Sequence, residues 1–163
     1  MMLAALLFTS LVSSDLFAAK HLNVHESIEI NASNADVWAK VQNFGDLGAW
    51  NPAVKATKVI EGVNNKSGAI RVVTLQGGDT VKEKLITYSA IKHKYSYSIL
   101  DGVLPVSNYR STITVKPISN DKTKVIWHGH FQSAGASDED AERVITGMYK
   151  AGLDNLKKIS ETK

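Results

Sequence analysis

Six strand-length stretches follow one another with no helix between them, and that run decides what this 163-residue chain can fold into. They lie at about Val54–Glu61, Ala69–Leu75, Thr80–Ser89, Lys94–Leu100, Asn108–Pro117 and Thr123–Gln132. Each join carries a turn signal: "EGVNNKSG", "QGGD", "AIKH", "LDG" and "SNDK". Joins this short cannot hold the crossover that a parallel pair needs, so the spacing predicts an antiparallel meander. Ahead of it, Leu22, Val24, Ile28 and Ile30 alternate as a seventh strand.

Two short helices are expected between the first strand and the meander. Ser33 or Asn34 can cap one that carries Val37, Trp38 and Val41. The other, over about Phe44–Trp50, stops at Asn51-Pro52, because proline disfavours helix in the residue before it. The chain closes with "SDEDAERVITGMYKAGLDNLKKI". Ser137 can cap this helix, and Asp138, Glu139 and Asp140 sit at its positive end. Ala141, Val144, Ile145, Met148, Leu153, Leu156 and Ile159 recur near helical spacing. One antiparallel sheet with one long amphipathic helix is an α+β layout. A sheet of seven strands twists enough to curl around the helix, and one helix cannot fill its concave side, so a cavity is expected between them.

Length, charge and composition narrow the function. With 44% hydrophobic and 21% charged residues the chain is ordinary globular material, and residues 20–163 are expected to form one domain. It has no cysteine, which excludes disulfides, thiol catalysis and thiolate metal sites. Residues 1–19 read as a secretory signal peptide, with an apolar run from Leu3 to Phe8 and small residues Ala18-Ala19 at the expected cut. The apolar run is too short to span a bilayer, so stable membrane insertion is not expected. Cleavage would place the domain in the periplasm and remove Asp15, making the net charge of +3 one unit more positive. The lysines are scattered, without an arginine stripe or basic-aromatic interleaving, so nucleic acid is not an expected partner.

Candidate chemistry centres on Glu83. Turned inward it would be a carboxylate among apolar walls, with Arg71 on the neighbouring strand as a partner; its roles there would be ligand orientation or acid/base work. A rim glutamate is the plainer alternative. Strand parity gathers Tyr97 with Ile99 on one face of their strand, and Tyr109 with Ser111 and Ile113 on one face of theirs. Trp127 shares its parity with Val125, Gly129 and Phe131, and with Tyr97 and Tyr109 it reads either as cavity lining or as ordinary core. The same parity turns His128 and His130 outward, and two imidazoles without a third ligand do not predict a metal site. Ser137 has no histidine-aspartate pattern around it, and "LQGGD" joins two strands, so neither a hydrolase triad nor a phosphate loop is expected. No cofactor is expected.

Three segments also carry a resemblance. "ESIEINASNADVWAKVQNFGDLGAWNP" resembles the opening strand, helix pair and Trp-X-Pro of the START-like superfamily, whose helix-grip fold is shared by polyketide cyclase/dehydrase-like and lipid-transfer proteins. "EKLITYSAIKHKYSYSILDGVLPVSNYRSTITV" is similar to the central strands of the plant abscisic-acid receptors, and "SDEDAERVITGMYKAGLDNLKKI" resembles the superfamily's closing helix. The resemblance implies cavity-mouth loops at Leu75, Gln76, Gly77 and Gly78 (a gate) and at Leu104 and Pro105 (a latch). It implies a cavity lined by Glu83, Tyr97, Ile99, Tyr109 and Ser111, closed by the helix positions Val144, Met148 and Gly152. Asn51 stands where the receptors place a carboxylate-binding lysine, and "LQGGD" lacks their Gly-Leu-Pro, so hormone binding of that kind is not implied. The whole chain is similar to the MxaD family, periplasmic proteins of bacterial methanol oxidation. That similarity implies a non-enzymatic accessory protein with methanol dehydrogenase and cytochrome c as partners. Two rival expectations stand beside it. One is a carrier of a lipid or other small hydrophobic ligand. The other is a cyclase or dehydratase with Glu83 as acid/base.

Overall fold

A computed structural model describes residues 20–162. The leader expected over residues 1–19 lies outside the described residues. Strand β1 (Leu22–Ile30) is followed by helix α1 (Asn34–Val41) and a single 3-10 turn (Leu47–Ala49). Then come β2 (Val54–Glu61), β3 (Ile70–Leu75), β4 (Thr80–Ser89), β5 (Lys94–Gly102), β6 (Val106–Ser119), β7 (Lys122–Ser133) and the long helix α2 (Asp138–Glu161). The seven strands form one antiparallel sheet in the order β1-β7-β6-β5-β4-β3-β2. The meander therefore runs in sequence order, and only β1 leaves it, crossing to pair with β7 from Leu22↔Phe131 to Ile30↔Thr123.

Alternation explains the sheet. In β7, Thr123, Val125, Trp127, Gly129 and Phe131 are buried while the residues between them reach the outer face. α1 forms because Ser33 caps it, its hydroxyl accepting the Asp36 N–H at 3.2 Å, and it buries Val37, Trp38 and Val41. The second helix expected over Phe44–Trp50 shrinks to one 3-10 turn. Asp46 makes no side-chain cap there, the segment has one glycine at each end of Asp46-Leu47, and Asn51-Pro52 stops it from lengthening.

α2 starts at Ser137, whose Oγ accepts the Asp140 N–H at 3.1 Å, with three acidic residues in its first turn. It lies against β1 and β7. Its far end is tied to β1, where Lys157 Nζ donates to the Glu29 carbonyl at 2.7 Å and the Asn31 N–H donates to Glu161 at 2.7 Å. The face that meets the sheet is Ala141, Ile145, Tyr149, Gly152, Leu153 and Leu156. With Val41, Phe44, Trp50, Leu85, Tyr95, Ile113 and Phe131 these make one continuous core, each large apolar side chain contributing about 1.5–3 kcal/mol of burial.

Candidate functional site

The concave side of the sheet holds a charged pair and a tyrosine network. Arg71 on β3 and Glu83 on β4 are register partners, and both point inward. Arg71 Nε donates to Glu83 Oε2 at 2.6 Å, its Nη1 donates to the Phe44 carbonyl, and its guanidinium lies 4.0 Å from the centroid of the Phe44 ring. Arg71 is fully buried and Glu83 is 6% exposed. Burial works against the guanidinium's charge, but the Glu83 carboxylate and the neighbouring tyrosine oxygens more than offset it, so its pKa stands above the ordinary value.

Beside this pair, hydroxyls from three elements meet. Tyr109 on β6 bonds Tyr149 on α2 through their hydroxyls, and Tyr149 bonds Ser111 at 2.8 Å. Ser111 donates to the His128 carbonyl at 3.0 Å, so it can receive the Tyr149 proton. Trp127 Nε1 donates to Ser111 at 3.0 Å and to the Tyr97 hydroxyl at 3.2 Å. The Trp127 and Tyr149 rings stack at 4.2 Å, only 9° from parallel.

Two glycines make this packing possible. A Cβ at Gly129, opposite Ser111 on β7, would lie 2.3 Å from the Tyr149 oxygen, so the missing side chain is the socket for that hydroxyl. A Cβ at Gly152 would lie 2.9 to 3.1 Å from Asn51, Trp127 and Trp50, so a glycine lets α2 approach the sheet at this turn.

The expected cavity is thereby almost filled. About 20 Å³ remains, room for roughly one water molecule. Expecting a large void counted one helix against one sheet; the aromatic rings of Trp50, Tyr97, Tyr109, Trp127 and Tyr149 occupy the difference. Glu83, Tyr97, Ile99, Tyr109, Trp127 and Met148 line the residual space, with Leu75 and Leu104 from the two loops. Ser111 is buried behind Tyr149 and Trp127.

Other expected positions fall elsewhere. Val144 is 37% exposed, because it stands one residue, about 100° of helix, from the inward Ile145. Gly152 is a packing contact and does not line the space. Gln76, Gly77 and Gly78 are exposed, and Gln76 is pinned outward by bonds from its Nε2 to the Pro52 and Val54 carbonyls. Pro105 is half-buried, its carbonyl accepting the Ala134 N–H.

Tyr149 was the residue sequence reasoning passed over. It stands four after Ile145 and four before Leu153, a spacing that marks the inner stripe of the helix. Asn51 is also fully buried at the site, its Oδ1 accepting the Ala53 N–H at 3.0 Å.

On the outer face, His128 is the register partner of His25, their rings 5.7 Å apart, and His130 follows two residues along β7. Partial burial, then the neighbouring His25 and His130, lower the His128 pKa. Among the described residues no group of three or more His, Cys, Asp or Glu is arranged to hold a metal ion. Among them, too, no helix is long and apolar enough to cross a membrane.

Burial also raises the phenol pKa values of Tyr95, Tyr97, Tyr109 and Tyr149 above the ordinary value of 10.0. A phenol whose folded pKa is raised stabilises the fold below its unfolded pKa and loses that contribution as pH climbs past it. Stability is therefore expected to fall steeply above about pH 10, four phenols acting in the same direction. Absorbance at 295 nm should show these tyrosines ionising together with loss of near-ultraviolet dichroism. Ionisation of all four in a chain that stays folded would contradict the burial described here.

The sequence model of one family, described as polyketide cyclase / dehydrase and lipid transport, matches residues 21–161. The chain belongs to this family. The polyketide cyclase / dehydrase and lipid transport domain thus takes in every described strand and both helices. Among solved structures, the protein XoxI from Bacillus cereus is 33% identical, with 85% of this chain and 94% of that one covered and a TM-score of 0.79. A protein from Bacillus thuringiensis is 32% identical over 86% of this chain and all of its own, with a TM-score of 0.80. A START superfamily protein from Mycobacterium smegmatis, 15% identical over 87% of this chain and 98% of its own, superposes with a TM-score of 0.72 and shares the START-like helix-grip fold. In this chain the interior is closed: its buried carboxylate is bound to arginine and its hydroxyls bond one another.

Proposed function

We propose that this chain is a non-enzymatic accessory protein of methanol oxidation, acting in the periplasm, where it assists methanol dehydrogenase in engaging its cytochrome c acceptor. The observation that carries this reading is the filled interior. A space for about one water cannot admit a substrate, and Glu83, the one candidate acid/base, is held by Arg71. That leaves the surface as the working part. The partners' identity comes from the similarity of the whole chain to the MxaD family. The two loops at the sheet's end, with Val103 54% exposed, supply a candidate contact, and the net charge of +3, one unit higher once the leader is cut, favours an acidic partner.

The test is cytochrome c reduction by methanol dehydrogenase with increasing amounts of this protein, at low and moderate salt. A saturable acceleration that weakens with salt is expected. No change at any concentration would sink the accessory role.

A second reading, a carrier of a small hydrophobic ligand, is favoured by one observation: the residual space is walled mainly by aromatic and aliphatic side chains. It requires Tyr149 and Met148 to swing aside. Native mass spectrometry of the purified protein separates the two, since a carrier retains a bound mass and an accessory protein of this kind does not.

A further inference from the structure

The sheet is split on its outer side. β5 and β6 pair from Lys94↔Thr114 to Ser98↔Arg110, and there the pairing ends. A regular ladder would go on to set Leu100 opposite Asn108 and Gly102 opposite Val106. Instead each strand end stays with its other neighbour. β5 follows β4, through Ile99↔Glu83, Asp101↔Lys82 and Gly102↔Val81. β6 follows β7, through Val106↔Ser133 and Ser107↔Gln132.

Two residues enforce the split. Asn108 takes a left-handed φ of 51° within a bulge between Ser107 and Arg110, and its amide donates to Gln132 on β7 at 2.6 Å. Such a bulge bends its strand away from the ladder. Gly102 lies so tightly on β4 that a Cβ would be 2.7 Å from the Thr80 carbonyl oxygen.

The result is a cleft of about 700 Å³ between the splayed ends. Its floor is Ile99 and Tyr109, which also line the small interior space. On one wall stand Arg110 and His130, which are cross-strand neighbours. Arg110 is exposed and makes no ion pair among the described residues. The carboxylate on the opposite wall, Asp101, accepts the N–H of Gly102 in its own turn, and the exposed Lys82 is its register partner. Leu100, 49% exposed, supplies an apolar edge.

We infer that this cleft receives an extended segment of a partner protein, laid along the splayed strands with an acidic side chain on Arg110. Strand edges that stop pairing are templates for another strand. An unengaged guanidinium on the same wall selects a carboxylate by two parallel hydrogen bonds. An extended acidic segment satisfies both at once. The inference deepens the accessory reading by naming a docking site, and its test uses no dehydrogenase, so the two can fail separately.

The experiment is a nuclear magnetic resonance titration of the isotope-labelled full chain with a capped Val-Glu-Val-Glu-Val peptide. Saturable amide shifts confined to residues 98–102 and 106–110 are expected. Methylating alternate peptide nitrogens, which removes backbone donors, should weaken binding at least ten-fold, and so should Arg110→Glu. Exchanging the peptide's glutamates for lysines should restore binding to Arg110→Glu. Shifts spread over the sheet's lysines, or the same cleft shifts with inorganic tripolyphosphate, would mean simple attraction of anions and overturn the inference. So would equal binding of the methylated peptide, or no saturable shift at millimolar peptide.

Discussion

Replacing Arg71 by methionine is expected to destabilise the protein by about 3–5 kcal/mol, the range seen when one member of a buried ion pair is removed. The size follows from what is left behind. Glu83, 6% exposed and facing Tyr97 and Ile99, would be left with its ion-pair partner gone. The Phe44 carbonyl would lose its donor at the same time. For a domain of this length such a loss lowers Tm by roughly 6–20 °C. Removing both charges tells a different story. Arg71→Met with Glu83→Leu replaces the pair by apolar groups of similar size, which is often neutral or better. The double variant should therefore recover most of what the single one loses. Chemical denaturation of the parent, Arg71→Met and the double variant measures this directly. A single variant that loses less than about 1 kcal/mol, the level of an exposed pair, would show that the pair is not sealed from water.

Tyr149→Ala should have an effect of similar size, about 3–5 kcal/mol, for a different reason. Alanine suits the helix, so the loss is confined to packing and hydrogen bonds. The ring stacked on Trp127 disappears, and Ser111 and Tyr109 lose their shared partner. The vacated space adjoins the existing one. Phenol has the shape and the hydroxyl of the missing group. Millimolar phenol should raise the Tm of Tyr149→Ala while leaving the parent protein unchanged, and benzene should do so less well. No selective response to phenol would mean that the surrounding side chains collapse into the gap.

Sequence reasoning reached the frame more readily than the interior. Alternation in β7 and the run of turns after Glu61 carry period-two information along the chain, so strand identities followed from it. Ser137 followed by three acids marks the start of α2 just as directly. The Arg71–Glu83 pair was within reach because "QGGD" makes their strands neighbours. How full the concave side is could not be read in this way. It depends on the summed volumes of side chains from β5, β6, β7 and α2, and on which of Val144 or Tyr149 rotates inward. One residue of helical phase decides that choice. The split between β5 and β6 left only a faint trace, an asparagine in a strand-length stretch, a residue that tolerates the left-handed conformation the bulge requires.

The pairing of β1 with β7 bears on how the molecule is made. Of the described strands, the first to leave the ribosome has as its sheet partner the last to leave it, and α2, which packs on both, comes later still. Until β7 is complete, β1 has no ladder to join and the meander's growing edge stays open. Closure is thus a late event with a long chain loop behind it, which makes folding slow by topology and leaves the nascent chain in need of protection from pairing with other strands.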